Sequence, residues 1–119
     1  MSGDLPESSP APKRTRRFPR YPLDVRLTVN VFRAGTSLSL WGRSSEFGQD
    51  GIGGTLTGEL ELGEVVSLEF SLPAAIHPLK LRGVVRYRNG LRHGFEFLAV
   101  TPAQREDLRR SCEVLGGAV

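Results

Sequence analysis

The sequence predicts an all-β domain of about six short antiparallel strands, a small barrel or sandwich, followed by one α-helix. Three observations predict it. Apolar and polar residues alternate in short runs, fourteen glycines and eight prolines punctuate those runs, and helical spacing of apolar residues is confined to the C-terminus. A chain of 119 residues and 13.1 kDa supports one such core and one function-bearing surface.

Residues 1–15, rich in Ser, Pro and charge, have no apolar periodicity and are expected to form a disordered tail ahead of a domain at 16–117. In YPLDVRLTVNVF, Leu23, Val25, Leu27, Val29 and Val31 alternate with Asp24, Arg26, Thr28 and Asn30, which predicts one half-buried strand. SLSLWGRSS places Leu38 and Leu40 on one face, GGTLTGEL is a weaker run, and VVSLEFSL alternates Val66, Leu68, Phe70 and Leu72 against polar residues before Pro73. LKLRGVVRYR and LRHGFEFLAV flank Asn89-Gly90, a hairpin signal. A two-residue Asn89-Gly90 turn would put Val85 and Tyr87 on the face opposite Phe95 and Phe97. Both sets read as core, so parity predicts an odd-length loop or a bulge in this hairpin.

At the C-terminus Thr101 can cap, Pro102 suits the first helical position and Gln104 completes a capping box. Leu108, Cys112 and Leu115 then recur on one helical face until Gly116-Gly117 ends it. On that face the single Cys112 reads as a small core residue rather than a nucleophile.

Chemistry-bearing constellations are scarce. Cys112, alone, excludes an internal disulfide and a multi-cysteine metal site, and suits a reducing compartment. His77 and His93 have no Ser, Cys or carboxylate at triad or zinc spacing and read as satisfied or exposed, so neither an enzyme nor a metal site is expected. No apolar run is long enough to span a bilayer and the N-terminus lacks a signal-peptide core, so a cytoplasmic location with no membrane partner is expected.

Two stretches stand apart. Lys13, Arg14, Arg16, Arg17 and Arg20 fall within eight residues of a chain with net charge +3. Arginine there is suited to paired hydrogen bonds with a guanine edge or phosphate oxygens, and Pro19 stiffens the segment. The second stretch, SSEFGQDGIGG, lacks the Lys-Ser/Thr ending and following helix of a phosphate loop. It reads as a strand connection in which Gly48, Gly51, Gly53 and Gly54 permit tight turns or close backbone approach. The arm lacks aromatic pairs at stacking spacing, which argues against a nucleic-acid partner.

Together these stretches resemble the PilZ domain family. Arg16-Arg17-Phe18-Pro19-Arg20 matches that family's Arg-x-x-x-Arg motif before the first strand, and Glu46-Phe47-Gly48-Gln49-Asp50-Gly51 occupies the place of its Asp/Asn-x-Ser-x-x-Gly motif. The resemblance implies a six-stranded antiparallel barrel with a C-terminal helix. It implies a non-enzymatic receptor whose ligand is cyclic di-GMP, with no cofactor, that orders its arginine segment on binding and signals to a downstream protein partner. Carried over, Arg16 and Arg20 are the clamp with Arg17 beside them, Glu46 accepts from guanine N1 and N2, and Gly51 provides the turn. Glu46 in place of Asp or Asn, and Gly48 in place of Ser, are departures. They give the resemblance a second implication, a degenerate domain acting as a nucleotide-independent protein-interaction module.

Overall fold

The computed structural model describes residues 17–117. The expected tail at 1–15 and Arg16 lie outside them. Seven strands and one helix follow in the order β1 (Tyr21–Pro22), β2 (Arg26–Arg33), β3 (Thr36–Gly48), β4 (Gly51–Leu56), β5 (Val65–Phe70), β6 (Leu79–Asn89), β7 (Arg92–Leu98) and α1 (Pro102–Leu115). Strands β3-β2-β5-β6-β7-β4 pair antiparallel in that spatial order, and β4 returns to β3, so six strands close into a barrel. The short β1 is laid on the far end of β3. Closure pairs the barrel strands on both sides, while the start of β3, residues 36–40, is paired only with β2.

Inward-facing residues fill the barrel as alternation requires. Leu27, Val29 and Val31 of β2, Leu68 and Phe70 of β5, Val85 of β6 and Phe95 and Phe97 of β7 are all buried. The rings of Phe47, Phe70 and Phe97 meet pairwise with centroids 5.9–6.4 Å apart, within the range favoured by aromatic pairs. Helix α1 begins as expected. The Thr101 hydroxyl accepts from Gln104 N, and the Gln104 side chain accepts from Thr101 N. Leu108 and Cys112 are buried, and Gly117, in the left-handed region at φ +77°, follows the end of the helix.

Several expectations need correction. The first alternating run is not one strand. It is interrupted at residues 23–25, where buried Ser44 takes over the backbone: its hydroxyl accepts from Val25 N at 3.0 Å and donates to Leu23 O. Short side-chain hydroxyls offer the backbone this alternative to a regular ladder. Leu38 pairs with Val31 but stays 40% exposed near the tip of the β2–β3 hairpin. The glycine-rich stretch is mostly strand rather than loop, with Gln49 and Asp50 alone turning β3 into β4.

The β6–β7 hairpin carries the bulge that parity predicts, between Val85 and Tyr87. Its turn is Gly90-Leu91, one residue later than expected, because Asn89 still pairs with Arg92 and Gly90 supplies φ +62°. Val85 faces the core with Phe95, whereas Tyr87, expected inside, is turned outward and is 49% exposed. One extra residue reverses the facing of everything beyond it.

An arginine clamp ties the β2–β3 hairpin to the loop before β5. Arg33 donates to both carboxylate oxygens of Glu64, at 2.6 and 2.9 Å. This pairing draws the Glu64 carboxyl down from an ordinary 4.5 to about 2, despite the opposing effect of burial. A carboxylate whose folded pKa is depressed stabilises the fold fully above its unfolded pKa and ceases to do so as pH falls through the folded one. Glu64→Gln is therefore expected to lower the melting temperature at neutral pH, with the gap to wild type narrowing below about pH 4.5 and closing near pH 2. Melting curves across that range check it, and a gap that does not change with pH would contradict the clamp.

Candidate ligand-binding site

The register of the short first strand decides where the arginine segment meets the barrel. Tyr21 pairs with Phe47 and Pro22 with Glu46. One residue earlier, Arg20 therefore falls beside Gly48, and Gly48 in turn pairs with Gly51 across the β3–β4 hairpin. Two distant stretches of sequence are thus brought into one row by backbone pairing.

Arg20 lies inward over this row with only 16% of its side chain exposed. Its Nη1 is 3.5 Å from Glu46 Oε2, and its Nε is 3.5 Å from Asp50 Oδ1. The missing side chains make room for it. A Cβ on Gly48 would stand 2.7 Å from Arg20 Cδ, and a Cβ on Gly51 would stand 3.0 Å from Arg20 Nη2 and 2.2 Å from the Phe95 carbonyl oxygen. Arg20 Nε and Asp50 Oδ1 are both buried without a hydrogen-bond partner. Burying polar atoms in that state costs about 1–3 kcal/mol, so the row retains hydrogen-bonding capacity.

Glu46 reaches the outer surface through a second irregularity. The β3–β4 pairing shifts register between Ser44 and Glu46, so Ser44 stays buried while the Glu46 carboxylate lies over Gly53. Following the pairs outward from Glu46 gives Gly53 on β4, Gly94 on β7 and Tyr87 on β6. Two adjacent glycines make a flat strip covered by two side chains, the Glu46 carboxylate over Gly53 and Tyr87 over Gly94. Glycine inside a strand commonly marks close approach by a ligand or another backbone. A planar base fits this strip: a carboxylate accepts from the N–H groups of a guanine edge, and a guanidinium donates to its O6 and N7.

Of the residues singled out from the sequence, Arg20, Glu46, Gly48 and Gly51 converge. Arg17 is exposed, with its guanidinium 5.6 Å from the centre of the Phe18 ring. Arg16 lies outside the described residues. Sequence reasoning passed over Asp50 and Tyr87. Asp50 was legible as the acidic turn residue within the second motif, whereas the outward aim of Tyr87 depends on a bulge whose position parity alone did not fix.

The other titratable residues have structural roles. His93 is buried, accepting from Leu60 N at Nε2 (3.1 Å) and donating from Nδ1 to Leu91 O (2.8 Å). His77 is exposed. Burial, reinforced by the Asp50 charge and opposed by Arg20, pushes the Cys112 thiol up to about 11, which keeps it protonated at neutral pH. Among the described residues no group of three His, Cys, Asp or Glu stands close enough to hold a metal, and no helix is long and apolar enough to cross a membrane. Surface hollows of about 400 Å³ over β2, β5 and β6, and about 420 Å³ beside α1, are lined by none of the residues of the arginine row.

The family model described as "PilZ domain" matches residues 14–113. The chain belongs to the PilZ domain family. Solved PilZ structures share the fold: the PilZ domain with c-di-GMP of YcgR from Escherichia coli matches with TM-score 0.69 and 17% identity over 88% of this chain and 94% of that one. The PilZ domain of CeSA from a cellulose-synthesizing bacterium matches with TM-score 0.58 and 15% identity, covering 83% and 96% of the two chains. The Bacillus subtilis inhibitor of motility MotI/DgrA matches with TM-score 0.65 and 15% identity over 87% of this chain and 53% of that one. A search of curated protein sequences gave no match.

The two glycines of the PilZ hairpin are distinguishable by mutation. A methyl on Gly51 would stand 2.2 Å from the Phe95 carbonyl oxygen of a paired barrel strand, whereas one on Gly48 would stand 2.7–2.8 Å from the Arg20 side chain and the Pro19 carbonyl oxygen, both ahead of β1. Gly51→Ala is expected to lose about 1–3 kcal/mol in urea unfolding and Gly48→Ala less, because the segment it displaces lies outside the closed barrel. Equal losses would contradict the backbone approach at Gly51.

Proposed function

We propose that this PilZ domain is a non-enzymatic receptor for cyclic di-GMP. The observation that carries the reading is the convergence of Arg20, Glu46 and the glycines of the second motif beside the Gly53–Gly94 strip that Glu46 and Tyr87 overlie. In this reading a guanine lies on Gly53 and Gly94, and its N1–H and N2–H donate to Glu46. Arg20 turns from the carboxylates to guanine O6 and N7 or to a phosphate, and Arg16 and Arg17 supply further guanidinium groups from the segment ahead of β1. Gly51 lets the turn approach the ligand closely. The PilZ domain of YcgR, similar in fold, was solved with c-di-GMP, which supports the choice of nucleotide.

Binding orders the arginine segment against the barrel and changes the surface offered to a downstream protein partner, a common form of switch. The domain acts in the cytoplasm, where such a second messenger is made. Each bidentate guanine contact contributes about 1–3 kcal/mol. The hydroxyl absent at Gly48 removes about 0.5–1.5 kcal/mol, which lowers affinity without abolishing it.

Gly48 favours a second reading, a nucleotide-independent interaction module, and one titration separates the two. Calorimetry is expected to show cyclic di-GMP binding to the wild type, with Arg20→Ala weakening it by about 5–150-fold. Absence of heat from the wild type at millimolar ligand sinks the receptor reading and favours the module. Tyr87→Ala is expected to weaken binding by at least about fivefold through lost base stacking, while leaving the melting temperature of this exposed position nearly unchanged. Unaltered affinity in Tyr87→Ala would remove Tyr87 from the site.

A further inference from the structure

Gly48 and Asp50 together determine how Arg20 is held before any ligand arrives. A serine at position 48 would carry its Cβ to 2.7 Å from Arg20 Cδ and 2.8 Å from the Pro19 carbonyl oxygen. Neither the side chain nor the backbone leading into it fits that arrangement. Glycine opens a channel here, and Arg20 fills it.

Asp50 closes the channel from the turn. Its own carbonyl accepts from Phe97 N at 2.9 Å, which fixes the turn against β7. Its Oδ1 faces Arg20 Nε at 3.5 Å, longer than the 2.7–2.9 Å of a well-made charge-assisted hydrogen bond. Both atoms are buried and neither has a hydrogen-bond partner. The contact is therefore electrostatic and loose, strong enough to bias the position of Arg20 and weak enough to be given up.

We propose that Asp50 sets the affinity of this site for cyclic di-GMP by storing Arg20 in the Gly48 channel, an inference that rests on the receptor reading above. A ligand that needs the Arg20 guanidinium must first withdraw it from Asp50, as well as from the Glu46 carboxylate that the ligand itself engages. The observed dissociation constant is then the intrinsic one divided by the fraction of molecules in which Arg20 is released. Replacing the serine expected in the motif with glycine thus does more than delete a hydroxyl. It creates the storage position, and Asp50 holds the arginine there.

The test uses the full chain with Asp50→Asn, which removes the charge at nearly constant volume, and Gly48→Ser, which crowds the channel without touching Asp50. Trypsin cleavage after Arg20 is compared with cleavage after the exposed Arg17 by mass spectrometry, and cyclic di-GMP is titrated in parallel. Each variant is expected to raise the Arg20-to-Arg17 cleavage ratio by about twofold to fivefold, the range of a weak ion pair. Asp50→Asn is expected to tighten ligand binding by the same factor.

An unchanged cleavage ratio in both variants overturns storage. A raised ratio with weaker binding in Asp50→Asn overturns the affinity-setting role, because Asp50 then holds the ligand itself. A wild type that binds no cyclic di-GMP removes the receptor reading and the affinity-setting role with it, while the cleavage ratio still decides whether Arg20 is stored.

Discussion

Closure of this barrel depends on the close seating of β4 between β3 and β7. A Cβ on Gly51 would come within 2.2 Å of the Phe95 carbonyl oxygen, and one on Gly54 within 2.4 Å of the Arg43 carbonyl oxygen. Side chains at those positions are incompatible with the observed strand spacing. Strands ordinarily favour branched and aromatic residues, and a glycine in a strand interior costs about 0.5–1 kcal/mol relative to alanine. Burial of Phe47, Ile52, Leu56 and Phe95, which this closure makes possible, offsets that cost at about 1.5–3 kcal/mol for each large apolar side chain. Gly53, on the same strand, lies under the Glu46 carboxylate, so the stretch that closes the fold also shapes the candidate site.

Two bulges give that face its chemistry. Along β3 the shift between Ser44 and Glu46 keeps a small hydroxyl inside and sends a carboxylate outside. Along β6 the shift between Val85 and Tyr87 keeps an aliphatic residue inside and sends a ring outside. In a regular ladder each of these pairs, two residues apart, would share one face. Polar and aromatic groups therefore reach a common outer row without a loop to carry them. Placing binding groups on strands also limits their freedom more than a loop would.

Much of the fold was legible because burial repeats with the backbone's own period. Leu27, Val29 and Val31, then Val66, Leu68 and Phe70, alternate as a closed sheet demands, and Thr101-Pro102 with Gln104 specify the helix start through local hydrogen bonds. The convergence of Arg20 with the second motif was legible only through family resemblance, because composition and periodicity do not measure the distance between two stretches. Local alternation could not locate the break at Leu23–Val25, since Ser44, nineteen residues beyond Val25, causes it. Nor could it assign Tyr87, whose facing depends on which residue of a hairpin is extra. The strand character of Glu46–Gly48 was hidden for a related reason: glycine-rich sequence ordinarily signals a turn, and here the demand for close packing outweighs that preference.

The placement of Tyr21 links the arginine row to the helix. Tyr21 follows Arg20 directly, pairs with Phe47 on β3, and carries its ring to the end of α1, where a Cβ on Gly116 would stand 3.0 Å from Tyr21 Cε1. Cys112, one turn earlier on α1, lies close enough to Arg20 and Asp50 for both charges to act on its thiol. Arg20 is therefore joined to the end of α1 by one short route, through the backbone into Tyr21 and its contact with Gly116. Packed elements transmit displacements along such a route because their interiors have little free volume to absorb them. In the receptor reading, the ligand meets the barrel at the residue next to the strand that bears the helix, and α1 is the element best placed to present the change to a partner.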